Sequence, residues 1–320
     1  MKRLLLVLML IAVAFSGCTE KGPSVANKSA EELKTLSIAA AENLTSYSIK
    51  SSLTQTIEHN SIGTNESVGQ TTTYTENDEV IQSVDLSGYK SKKSYSIETL
   101  AKRPGYPDNS SVNQMEVYLI GNSTYFKDER GNWTHLKDPM NAGEIWEKDN
   151  HNQVKTLSAM INNSQMENAG SETIEGQETY KMKIVTGVAD YSNLYGIAFD
   201  LVARPTNYMA MPSINKTELN ETGKIEKTIW ISKESYLPVK YHSGISFKMS
   251  PELIAALDFS TGQMKMLNQS ILLGEISVSI ETYDLYYDFD KPSDITPPKQ
   301  ALSAPVIIPS QIQTQAAVQA

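Results

Sequence analysis

Apolar residues near the start of the chain fall at helical spacing, and from Tyr47 onward they fall at every second position. Ser29-Ala30-Glu31-Glu32 has the serine and glutamate of a capping box, and Leu33, Leu36, Ala40 and Leu44 recur behind it. This pattern predicts an amphipathic helix through Asn43 whose stripe needs a sheet to cover. Tyr47, Ile49, Leu53 and Ile57 then alternate with Ser48, Lys50, Ser52, Thr54 and Thr56, the period of a half-buried strand. Similar runs predict strands at residues 71–75, 80–86, 89–99, 114–120, 123–127 and 133–137. Gly121-Asn122 and Arg130-Gly131-Asn132 supply the turns of antiparallel hairpins.

Beyond residue 138 the spacing changes. Ile145, Trp146, Val154, Leu157, Met160 and Ile161 predict one or two short helices. Strands resume at 179–185, 224–232, 237–249 and 275–289. A helix is expected at 191–203, a loop at 204–222 and a helical turn at 251–257. Pro292, Pro297, Pro298, Pro305 and Pro309 break the C-terminal region, and residues 300–320 read as a disordered tail. No repeat or composition break divides the interior, so residues 29–298 read as one domain, followed by a tail at 299–320.

The first residues belong to a different class. Lys2 and Arg3 precede an unbroken apolar run from Leu4 to Phe15, which ends in Phe15-Ser16-Gly17-Cys18. The run is shorter than the roughly 20 residues a membrane span needs, but suits the core of a secretory signal. The small residues before Cys18 resemble the lipobox of prokaryotic lipoproteins. Residues 1–17 are thus expected to be a signal peptide, Cys18 a lipidated N-terminus, and residues 18–28 a polar tether. Cys18 is the chain's one cysteine, which excludes an intrachain disulfide. The expected location is the outer face of the cytoplasmic membrane.

Cleavage there lowers the basic count from 28 to 26 against 37 acidic residues, a net charge of −11. Such a surface repels phosphate backbones and argues against nucleic acid as a partner. Ten asparagines stand in Asn-x-Ser/Thr: Asn27, Asn43, Asn65, Asn109, Asn122, Asn132, Asn162, Asn215, Asn220 and Asn268. They are candidate glycosylation sites. Together with a lipoprotein signal they lean toward an archaeal cell envelope.

Several phrases and their order carry a resemblance. They are Leu44-Thr45-Ser46-Tyr47-Ser48, Tyr125-Phe126-Lys127 before Gly131-Asn132-Trp133, and Ile174-Glu175-Gly176-Gln177-Glu178-Thr179-Tyr180-Lys181. Ile229-Trp230-Ile231-Ser232, Leu237-Pro238-Val239-Lys240 and Tyr287-Asp288-Phe289-Asp290-Lys291-Pro292 complete the set. In that order they resemble the LolA/LppX-like superfamily of envelope lipoproteins and lipoprotein carriers. The resemblance implies an α+β fold: a strongly curved antiparallel sheet, an unclosed half-barrel, with helices covering its concave face. It also implies an acyl-chain cavity there. Arg103, Arg130 and Arg204 are the arginines after the signal, and none matches the lid arginine of the carriers.

The candidate cavity-lining residues are Tyr118, Trp133, Met182, Ile184 and Trp230, each on an expected strand. Ordinary core packing explains any one of them as well. His59, His135, His151 and His242 are scattered, and no metal or cofactor is expected. Asp284, Asp288 and Asp290 read as a solvated strand end. No nucleophile elbow, phosphate loop or dinucleotide fingerprint occurs, so catalysis is not expected. The leading expectation is an anchored, non-catalytic protein that shelters a lipid or other apolar ligand. The alternative is an envelope sensor or structural protein that binds another protein.

Overall fold

Ser29 caps the first helix in the way its spacing to Glu32 requires. The Glu32 N–H donates to Ser29 Oγ (3.2 Å), and the Ser29 N–H donates to the Glu32 carboxylate (2.8 Å). The computed structural model describes residues 28–62, 70–128, 130–148, 151–291 and 293–308. The capped helix is α1 (Ala30–Glu42). Six strands follow: β1 (Ser46–Asn60), β2 (Thr71–Asp85), β3 (Lys90–Lys102), β4 (Asn109–Ile120), β5 (Ser123–Lys127) and β6 (Trp133–Lys137). Helices α2 (Ala142–Lys148) and α3 (Gln153–Asn162) lead to β7 (Met166–Ile174) and β8 (Gln177–Ile184). Then come α4 (Val188–Ala203), β9 (Ala210–Ser213), α5 (Lys216–Thr222), β10 (Lys224–Ser232) and β11 (Pro238–Met249). The chain closes with β12 (Glu252–Asp258), β13 (Gln263–Leu272), β14 (Glu275–Tyr287), α6 (Lys299–Leu302) and β15 (Val306–Ile307).

Twelve strands form one sheet in the order β15-β6-β5-β4-β3-β2-β1-β14-β11-β10-β8-β7. All neighbours are antiparallel except the short parallel pair β15–β6. The sheet is strongly curved and unclosed, an α+β half-barrel with helices on its concave face. β9, β12 and β13 make a second, three-stranded sheet.

Strand length explains why one helical layer is not enough. β1 and β2 have 15 residues each, about 50 Å at 3.3 Å per residue. A helix of 13 residues such as α1 reaches only about 20 Å. Two cores result. At one end Leu33 of α1 and Ile161 of α3 bury Tyr47, Ile49, Met182, Ile229 and Ile231. At the other, Leu194 and Ala198 of α4 and Leu219 of α5 bury Phe247, Met249 and Val278. The Tyr47 hydroxyl ties the first layer down, accepting from the Gln153 N–H (2.9 Å) and donating to the His151 carbonyl (3.2 Å).

The register places Ser51, Asp284, Tyr241, Ser243, Thr282 and Lys227 on this same face, between the two cores. Lys227 pairs with Asp190 of α4. Burial raises the Asp284 carboxyl pKa, an effect that the hydroxyls of Ser51 and Tyr286 offset only in part. A carboxyl with a raised folded pKa holds its proton longer when folded, so stability falls as pH rises through that pKa. Asp284→Asn is therefore expected to raise the melting temperature at neutral pH. The gain should shrink in acid, where the wild-type carboxyl is protonated; a pH-independent gain would count against this origin.

Strands β7 and β13 form where none was expected, and four further segments depart from the sequence expectations. Residues 71–75 and 80–86 are one continuous strand, β2, because Asn77 and Asp78 pair across to β1 and β3 despite their polarity. Residues 251–257, expected as a helical turn, form β12. A short apolar run carries no clear period, and here β9 and β13 supply hydrogen-bonding partners on both sides. The expected loop at 204–222 contains β9 and α5. The start of the expected disordered tail is ordered as α6 and β15, where Ala301 packs beside Tyr118 and Tyr125; residues 309–320 lie outside the described residues.

Candidate functional site

Where the helices lie on the sheet, the inner face is filled: Leu33, Met182, Ile229 and Leu194 are all buried. The inner face continues beyond that cover across β2 to β5. Val80, Tyr95 and Met115 stand in one cross-strand row, and Val117 and Phe126 pair in the adjoining one. Their parity is that of Val84 and Leu119, which meet the helical core. None of these five belongs to a packed core; four are half-buried and Met115 is exposed. Among the described residues they form an apolar strip outside the helical cover.

An open groove of about 330 Å³ lies on this strip, lined by Met115, Val117 and Phe126, with Lys127, Asp128 and Arg130 at its rim. That is the lower end of the roughly 300–1,000 Å³ range of ligand sites. A larger, more polar hollow of about 630 Å³ is lined mostly by residues of the opposite parity, among them Glu79, Ile81, Ser94, Glu116 and Lys127, and also reaches Tyr95 and Met115 of the strip.

The five cavity-lining candidates do not share one site. Met182 and Ile184 face the helices, packed in the first core. Trp230 points to the other side of the sheet, among Ile174 and Val239. There its indole N–H donates to Glu172 (2.9 Å), while Lys181 and Lys240 lie over its ring. Tyr118 and Trp133 are also on the outer face, beside Ile295 and Ala301 of the C-terminal segment. The Tyr118 hydroxyl donates to Glu116 (2.7 Å). Val117 and Phe126 alternate with Tyr118 and Tyr125 along β4 and β5, so alternation separates the two sets but does not say which of them faces the open side.

Cys18, Asn27 and Asn65 lie outside the described residues. Asn43, Asn109, Asn132, Asn162, Asn215, Asn220 and Asn268 are exposed. Asn122 is half-buried, and its amide donates to the carbonyls of Asp138 (2.9 Å) and Met140 (3.2 Å). That amide already serves a turn.

The remaining candidate groups are dispersed. His59 bonds the Leu273 carbonyl, His135 stacks on Tyr125, His151 lies against Trp146 and His242 bonds Glu281. Asp290 accepts from Thr45, Asp288 pairs with Lys291, and Asp284 lies on the inner face. Among the described residues no three His, Cys, Asp or Glu side chains are grouped to hold a metal. No described helix is long and apolar enough to cross a membrane.

No family model matches the chain, and no curated protein does. Among solved structures it is similar to the lipoprotein LppX of Mycobacterium tuberculosis, at 13% identity and a TM-score of 0.34, over 84% of this chain and 100% of that one. It is similar to LprF of Mycobacterium bovis at 15% identity and a TM-score of 0.35, over 84% and 96%. A Vibrio parahaemolyticus domain assigned to outer membrane lipoprotein sorting is similar at 9% identity and a TM-score of 0.20, over 83% and 95%.

Proposed function

We propose that the protein is a lipid-anchored envelope protein, held to the membrane through Cys18, that shelters an apolar chain on the inner face of its half-barrel without covalent chemistry. The observation that carries this reading is the strip of Val80, Tyr95, Met115, Val117 and Phe126, which among the described residues lies outside both packed cores, next to the part of the inner face that the helices fill. Each methylene moved from water onto such a surface contributes up to about 0.8 kcal/mol, so a partly enclosed alkyl chain offsets the cost of its ordering.

Val117→Asp places a carboxylate in the middle of the strip. It is expected to weaken binding of an alkyl probe at least tenfold, about 1.4 kcal/mol. Ile81→Asp, on the outer face of β2 with β3 between it and β4, should leave binding unchanged. The readout is native mass spectrometry of the purified protein with added probe. Equal binding by both variants would sink the assignment of the strip.

A second reading, recognition of another protein, is favoured by the small sheet. Its register puts Met211, Met264 and Met266 on one face with Leu257, and Met266 is 71% and nearby Phe259 79% exposed. Exposed methionines adapt to varied apolar surfaces. The same purification separates the readings: lipid-free protein that carries one stoichiometric protein partner favours the second.

A further inference from the structure

The apolar strip contains a cation. Lys93 of β3 stands between Gln82 of β2 and Val117 of β4, with the parity of Tyr95 and thus on the inner face. Gln82 is buried, and its carboxamide oxygen accepts from Gln153 Nε2 at the start of α3 (3.3 Å). Lys93 therefore sits where the helical layer ends and the open strip begins.

Its neighbour Lys92 shows what an ordinary lysine of this sheet does: on the outer face, it pairs with Glu116 at 3.2 Å. Lys93 has no carboxylate partner among the described residues. It is half-buried, and burial alone pulls its pKa down. Half-burying an ammonium without a counter-ion costs free energy, and an anion brought by a ligand would remove that cost. Arg130, which lines the groove, already has the Asp128 carboxylate beside it.

We propose that the ligand is a single-chain amphiphile with an anionic head, the head paired with the Lys93 ammonium and the chain lying along Val117, Met115 and Phe126. This inference rests on the binding reading above and names its ligand class. One chain is favoured over several because the groove is only about 330 Å³.

The test uses the full chain in phosphatidylcholine nanodiscs and photo-crosslinking probes of equal length: a 16-carbon diazirine carboxylate, the matching alcohol and the matching phosphate monoester. Labelling is mapped to peptides of β4 and β5 by mass spectrometry. The carboxylate or the phosphate is expected to label at a concentration at least tenfold lower than the alcohol. The stronger of the two identifies a free fatty acid or a lipid phosphate as the source. Lys93→Met should abolish the preference while leaving alcohol labelling intact, Lys93→Arg should retain it, and Lys92→Met, on the outer face, should leave it unchanged. Equal labelling by all three probes would keep the strip as a binding surface but overturn the anionic head. Loss with Arg130→Gln and not with Lys93→Met would place the head at the rim and also overturn the proposal. No strip labelling by any probe would fail the binding reading itself.

Discussion

Phe247→Ala is expected to lower the unfolding free energy by about 3–5 kcal/mol, the usual cost of deleting a buried aromatic side chain. Phe247 is 2% exposed and lies opposite Val278, beneath the layer that Leu194 and Ala198 of α4 contribute. The cost has two parts: lost transfer free energy, and a cavity that stiff β-strands cannot close. Denaturant unfolding followed by circular dichroism measures it. A loss below about 1 kcal/mol would mean that α4 does not seal this end of the sheet. The first core, around Ile229 and Met182, shares none of these side chains. The strip on β2 to β5 lies outside both, so residual alkyl-probe binding by folded Phe247→Ala protein should match wild type.

The second large effect concerns location. Cys18→Ser is expected to move the protein from the membrane fraction to the soluble fraction, because the chain has no other cysteine to carry an anchor. Two hydrocarbon chains on one residue anchor stably, whereas one chain binds only marginally. Fractionation with alkaline carbonate extraction and the mass of the N-terminal peptide provide the check. A Cys18→Ser variant that stays with the membrane would refute lipid anchoring at this residue. With Cys18 as the anchor and residues 18–28 as the expected tether, the domain would exchange a ligand with its own membrane or an adjacent partner rather than ferry it across a compartment.

Much of the fold was legible along the chain. The capping box at Ser29, the alternation from Tyr47 and the glycine turn at Gly121 each depend on near neighbours, and each formed where the spacing placed it. The errors fell where local signals compete. Residues 251–257 are expected as a helical turn, but their short apolar run has no firm period, and pairing with β9 and β13 makes residues 252–258 a strand. Gly274, with φ +102°, packs where a side chain would collide with the Asn60 carbonyl, a long-range constraint that its sequence neighbourhood does not reveal.

The candidate site was less legible, and Tyr118 and Val117 show why. They are adjacent on β4, both apolar and both in an alternating run, so sequence determines that they face opposite sides of the sheet. Which side receives helices, which receives the C-terminal segment and which stays open depends on the lengths and packing of elements far away. The chain by itself determined the antiparallel hairpin pattern, the acidic net charge and the parity of the strands whose alternation is clear, and the family resemblance implied the half-barrel. Only the tertiary structure decided that Met182 is packed, that Trp230 and Tyr118 lie on the outer face, and that Lys93 stands without a carboxylate partner, among the described residues, beside an open apolar strip. Parity is a local property of the pleated backbone, whereas coverage is set by strands of about 50 Å outrunning the short helices that must cover them.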